Sequence, residues 1–100
     1  MAKLIWSPSA LRDFQAILAY IAKDAPVAAK RFGEKLLART RQLRISPLLG
    51  GFILEEESHT YRELIHGNYR VIYRCEADEQ VVYIVAIHHA ARLLDPETLN

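Results

Sequence analysis

The side chains best suited to hold an anion or move a proton lie between Tyr61 and Arg92. Arg62, Arg70 and Arg74 alternate with apolar and aromatic residues, so their guanidinium groups sit on a rigid surface rather than on a tail. His88 and His89 are adjacent, and Arg92 follows closely. An arginine offers a fixed, always-charged fork that fits carboxylate or phosphate. Neighbours on a strand point to opposite faces, so only one of the two histidines can share a site with Arg70. A purely structural reading competes with this one. Arg62, Arg70 and Arg74 can pair across strands with Glu63, Glu76 or the Glu55-Glu56-Glu57 run, and the histidines can simply cap a strand. Two adjacent histidines cannot hold one ion from one face, and no nearby cysteine or acid completes a set, so no metal site is expected. Gly-rich phosphate loops, nucleophile elbows and Cys-x-x-Cys pairs are missing, so no cofactor is expected.

The elements that must position these groups can be read from periodicity. Lys3–Trp6 is a short apolar run suited to a strand. Ser7-Pro8 reads as an N-cap followed by proline in the first helical turn. Leu11, Phe14, Ile17, Leu18 and Ile21 then recur at helical spacing. Pro26 opens a second helix with an apolar stripe at Ala29, Phe32, Leu36 and Leu43, and Ser46-Pro47 stops it. So short a connection predicts an antiparallel helical hairpin. The segment from Leu48 to Thr60 is irregular, with an edge strand expected at Phe52–Glu55. Strands follow at Tyr61–Ile65, Tyr69–Glu76 and Val81–His88, the first two joined by a turn at His66-Gly67-Asn68. In the last strand Val81, Tyr83, Val85 and Ile87 alternate with Val82, Ile84 and Ala86. Both faces are apolar, which places it inside a sheet. The fold class is α+β: an N-terminal strand and a helical hairpin packed on a small, twisted, mostly antiparallel sheet.

The 100 residues make one domain, spanning 1–100, and half are apolar, which excludes a disordered chain. Net charge is only +1, yet the charges are segregated. Lys30, Arg31, Lys35, Arg39, Arg41 and Arg44 face a single acid, Glu34, in that stretch. This is either a solvated helix face or a surface for an acidic partner. The lone Cys75 lies in a strand and reads as a buried, inert thiol in a reducing cytosol. No leader opens the chain, and no apolar run approaches the ~20 residues a spanning helix needs, so no membrane role is expected.

The strand block resembles the ParE/RelE superfamily of bacterial toxins, the toxic halves of type II toxin–antitoxin pairs. Its pattern, Arg-x-Leu-x-x-Gly-x-Tyr-Arg-Ile/Val-Ile/Val-Tyr-Arg, is matched by Arg62, Leu64, Gly67, Tyr69, Arg70, Val71, Ile72, Tyr73 and Arg74. The closing Ile87-His88-His89-Ala90-Ala91-Arg92 looks like the ParE branch. That branch implies a cytoplasmic, plasmid-stabilisation-type toxin that poisons DNA gyrase, is neutralised by a cognate antitoxin and touches DNA only through that antitoxin. The RelE branch implies instead a ribosome-dependent mRNA endonuclease. Such a reaction needs a base, an acid and cations on the phosphate, which would be supplied here by Arg70, His89 and Arg92. The lysines that nuclease relatives carry on the middle strands are missing, since no lysine follows Lys35, and the C-terminal residues are not aromatic. The gyrase reading is therefore preferred, with Arg70, Arg74, His88, His89 and Arg92 as target contacts and no catalytic residue. A member that binds antitoxin without toxicity is the third reading. Tyr20, Leu37, Leu48 and Phe52 are apolar but lie off the main stripes, so they are expected to dock an amphipathic antitoxin helix.

Overall fold

The computed structural model describes residues 1–99. The chain runs β1 (Lys3–Trp6), α1 (Pro8–Ala22), α2 (Pro26–Arg41), β2 (Gly51–Phe52), β3 (Tyr61–His66), β4 (Tyr69–Glu76) and β5 (Val81–His89), with 3-10 turns at Gln42–Arg44 and Pro96–Thr98. Ser7 caps α1 by accepting from the Ala10 amide at 3.0 Å, with Pro8 in the first turn. Pro26 opens α2 without a side-chain cap, and the helix tightens to 3-10 geometry before Ser46-Pro47 is reached. No helix among the described residues is long and apolar enough to cross a membrane.

The five strands order as β1-β5-β4-β3-β2. β1 pairs parallel with β5, and every other pairing is antiparallel. β5 thus has a strand on each side, as its two apolar faces require. The α1–α2 hairpin covers one face of the sheet. Phe14 and Leu36 pack there with Leu64, Val71, Tyr73, Val82, Ile84 and Ile87. The far face carries a second, smaller cluster, in which Leu94 and Leu99 of the C-terminal segment close over Ile53, Ile72 and Val85.

Two local expectations change. The edge strand is only Gly51–Phe52, paired with Arg62–Glu63, rather than Phe52–Glu55. Beyond it the chain leaves the ladder, which lets Glu55 reach across the far face. The alternation of β5 is also interrupted. Ile72 pairs with Ala86 but Tyr73 pairs with Ile84, so Val85 is the extra residue of a β-bulge. Ile87 therefore joins Val82 and Ile84 on the helical side, whereas strict alternation groups it with Val81, Tyr83 and Val85.

Tyr73 ties the irregular segment to the sheet. Its hydroxyl donates to the Pro47 carbonyl at 2.8 Å and accepts from the Gly50 amide at 2.8 Å. Gly50 allows that approach, because a Cβ there would lie 2.4 Å from the Glu63 carbonyl oxygen. Cys75 is half-buried below the same loop, and burial pushes its thiol pKa up, in keeping with an inert thiol.

Candidate functional site

The bulge at Val85 decides which way the end of β5 faces. Past it, His88 pairs with Arg70 and His89 with Tyr69. Directly paired residues share a face. His88 and Arg70 therefore lie on the far side of the sheet, and His89 and Tyr69 on the helical side. Tyr69 meets His89 edge-on at 5.3 Å between ring centroids, and its other neighbour is Phe32 of α2 at 5.4 Å. Where β5 leaves the sheet, a groove of about 780 Å³ opens against α1, lined by Tyr20, Asn68, Tyr69, His88, His89 and Arg92 among others. Asp13 of α1 fixes this end of the strand, its carboxylate accepting from the Ile87 amide at 3.0 Å. The Ala90 amide donates to the Asn68 carbonyl at 2.7 Å and holds the exit of β5 to the β3–β4 turn.

On the far face Arg70 is only 6% exposed. Its Nε donates to Glu63 at 2.6 Å, while Nη1 and Nη2 grip both oxygens of Glu55 at 2.7 and 2.8 Å. The Arg70 guanidinium holds the Glu55 carboxyl down at about 2, against the desolvation that would raise it, and the Leu94 amide, donating at 3.2 Å, adds to the same effect. One glutamate thus links β4, the irregular loop and the C-terminal segment. Arg74 lies over the Tyr83 ring at 4.6 Å and pairs with Glu76 at 2.9 Å. Arg62 donates to the Gly50 carbonyl at 2.7 Å and covers the Phe52 ring at 4.2 Å.

A family model described as ParE toxin of type II toxin–antitoxin system, parDE, matches residues 4–94. The chain belongs to this toxin family. The Toxin RelE2 of Caulobacter vibrioides is 38% identical to it over 93 residues, covering 93% of this chain and all of the relative. The fold matches that of a chromosomal ParDE toxin–antitoxin system from P. aeruginosa with a TM-score of 0.74 at 18% identity, covering 89% of this chain and 96% of the other. It also matches the RelBE2 toxin–antitoxin complex of Mycobacterium tuberculosis with a TM-score of 0.63 at 22% identity, covering 88% and 96%.

The residues expected to act together in this ParE-family toxin are not gathered in one place. Arg70, His89 and Arg92 do not converge. Arg70 is on the far face with its guanidinium bound to two glutamates, while His89 and Arg92 line the groove toward the helices. For Arg70 the structural reading of the sequence holds: it is a clamp rather than an open contact. His88, His89 and Arg92 do share the groove, and Arg74 lies away from it. The four apolar residues assigned to the antitoxin also separate. Tyr20, 73% exposed, lines the groove with the histidines. Leu37 is half-buried and lines an apolar cleft of about 440 Å³ in the helical hairpin, with Phe14, Leu18 and Gly33. Leu48 and Phe52, 49% and 43% exposed, flank Arg62 at the sheet edge. Sequence reasoning missed Asp13 and Asn68, and it offered the Glu55-Glu56-Glu57 run as a partner of Arg70 without singling out Glu55. Glu55 and Asn68 sit in a loop and a turn, where no periodicity points to a partner.

Proposed function

We propose that this toxin acts by binding and inhibiting DNA gyrase through the groove at the end of β5, and that an antitoxin neutralises it. The observation that carries this reading is the state of Arg70. Nuclease relatives resemble this chain in carrying a phosphate-stabilising arginine at this position, but here Glu55 and Glu63 engage one donor on each of its three nitrogens. Expelling both carboxylates would leave the buried Arg70 charge unpaired. The groove offers Tyr20, Tyr69, His88, His89 and Arg92, a mixture of aromatic and cationic groups common in protein contact surfaces. The antitoxin is assigned to the cleft around Leu37, whose apolar walls suit one face of an amphipathic helix. Tyr20, Leu48 and Phe52 serve as flanking contacts. The alternative, a ribosome-dependent endonuclease, draws support from the name of the 38% identical relative, Toxin RelE2. Purified toxin in a gyrase supercoiling assay, run beside primer extension on a translated message, separates the two. Inhibition of supercoiling without new message ends is expected. Ribosome-dependent cleavage that disappears in Arg70→Ala would replace this reading with the alternative. Growth unaffected by expression without antitoxin would leave an antitoxin-binding protein that is not toxic.

A further inference from the structure

α2 carries a ridge of cations that the groove at the end of β5 does not use. Arg31, Lys35 and Arg39 follow one another at four-residue spacing, so they lie on one side of the helix about 6 Å apart. Arg31 and Lys35 are exposed, and Arg39 is half-buried with its Nη1 donating to Gln42 Oε1. None of the three meets an acid at ion-pair distance among the described residues. Glu34, the one acid of α2, lines the apolar cleft of the hairpin with Lys30 instead. The acids at Glu55-Glu56-Glu57, Asp78-Glu79, Asp95 and Glu97 lie in other loops and turns, so a net charge of +1 conceals this concentration. The ridge overlooks the end of β3. His66 there packs on Phe32 at 5.5 Å, and its pKa is lowered by burial and then by the charges of Arg39 and Lys35. A row of rings, Phe32, Tyr69 and His89, leads from the ridge to the groove.

We infer that the Arg31–Lys35–Arg39 ridge holds the phosphate backbone of duplex DNA, without regard to base sequence. Cations with no acid to neutralise them concentrate positive potential and attract a polyanion. A protein partner calls for an apolar centre, whereas the one large apolar side chain on this ridge, Val27, stands at its end, and Ala28 and Ala38 beside it are small. A single strand calls for exposed rings on which bases stack, whereas Phe32 is half-buried against His66 and Tyr69. A duplex backbone needs neither. It carries a charge every ~1.7 Å of its axis, so a ridge about 12 Å long overlies several phosphates. The choice of DNA over RNA rests on the gyrase reading above, because gyrase presents a DNA duplex beside the groove. Direct contact of this kind departs from the expectation that DNA is touched only through the antitoxin.

The test titrates the full chain, free of antitoxin, into a labelled DNA duplex of mixed sequence and reads fluorescence anisotropy. Saturable binding is expected at low salt, with Kd on the order of 10 μM and affinity falling about 40-fold for a fourfold rise in salt, as three phosphate contacts require. Arg31→Gln combined with Lys35→Gln should weaken binding about tenfold or more and reduce the slope of log K against log salt by about 2. Both residues are exposed, so the double variant keeps the fold. Lys3→Gln, exposed on the strand at the opposite edge of the sheet, should leave binding unchanged. Absent binding by the parent overturns the inference, as does a double variant that binds like the parent or a Lys3→Gln that loses as much as the double variant. Tighter binding of an acidic peptide assigns the ridge to a protein partner, and tighter binding of a single strand or an RNA duplex removes duplex DNA as the occupant; each overturns the inference. Supercoiling inhibition measured on the same preparations keeps the two readings apart. A parent chain that inhibits gyrase without binding DNA overturns this inference alone, and one that binds DNA without inhibiting gyrase overturns the gyrase reading alone.

Discussion

Replacing Arg70 by methionine should remove the clamp that joins β4, the Glu55 loop and the C-terminal segment. The substitution keeps an unbranched, apolar stem in place but strands two carboxylates. Breaking a buried pair by removing one partner costs about 3–5 kcal/mol. Glu55 and Glu63 keep 18% and 22% of their side-chain surface exposed, so partial rehydration puts the cost at the lower end, about 3 kcal/mol. In a domain of this size that lowers Tm by about 12–24 °C. The pH dependence is the sharper part. Glu55 titrates near 2 in the folded protein, against 4.5 in the unfolded chain. Its contribution is therefore fully present above about pH 4.5 and is lost as pH falls toward 2. Urea unfolding of the parent and of Arg70→Met at neutral pH, and at steps through that window, should show two stability curves that converge on acidification. A neutral-pH difference below about 1 kcal/mol would show that the ion pairs contribute no more than surface bridges do. A difference that persists undiminished at the acid end would show that lost packing, not charge, is responsible. Either result would remove the basis for treating Arg70 as a structural clamp.

Gly50→Ala should cost about 2 kcal/mol or more, because its Cβ would meet the rigid Glu63 carbonyl and the Tyr73 ring, and denaturant melts would detect this. Ala77, Asp78 and Glu79 all adopt positive φ in the β4–β5 turn, at 52°, 52° and 67°. Glu79→Gly should therefore raise stability by about 0.5 kcal/mol, since the relief of left-handed strain exceeds the entropy glycine adds to the unfolded chain. A fall in Tm would refute that. Arg92→Ala, on the exposed exit from β5, should change stability by no more than about 0.5 kcal/mol while weakening gyrase inhibition and sparing antitoxin binding. Full inhibition by the stable variant would show that Arg92 is not a target contact. Tyr20→Glu and Leu37→Glu, made singly, should separate the two surfaces: calorimetry with the antitoxin should find a large loss for Leu37 and a smaller one for Tyr20.

Local chemistry was enough to define the elements of this toxin. Ser7-Pro8, Pro26, the helical stripe through Phe14 and the Gly67 turn each act within a few residues, so helices, strands and the α+β class follow from them directly. The apolar faces of β5 likewise required a strand on either side of it. What the sequence could not reveal were facts that depend on distant partners. Alternation alone would put His88 on the side of Val82 and Ile84. The bulge at Val85 reverses this, and a bulge depends on how β5 fits β4 and β1, with Ser7 donating to the Val85 carbonyl at 3.0 Å. Glu55 could have been one of three equivalent surface glutamates. Only the fold brings it to Arg70 and the Leu94 amide, because a loop residue has no period to fix its direction. The residue types in the strand block marked where chemistry could occur. Strand pairing across the sheet decided which of them face the groove and which are committed to holding the sheet together.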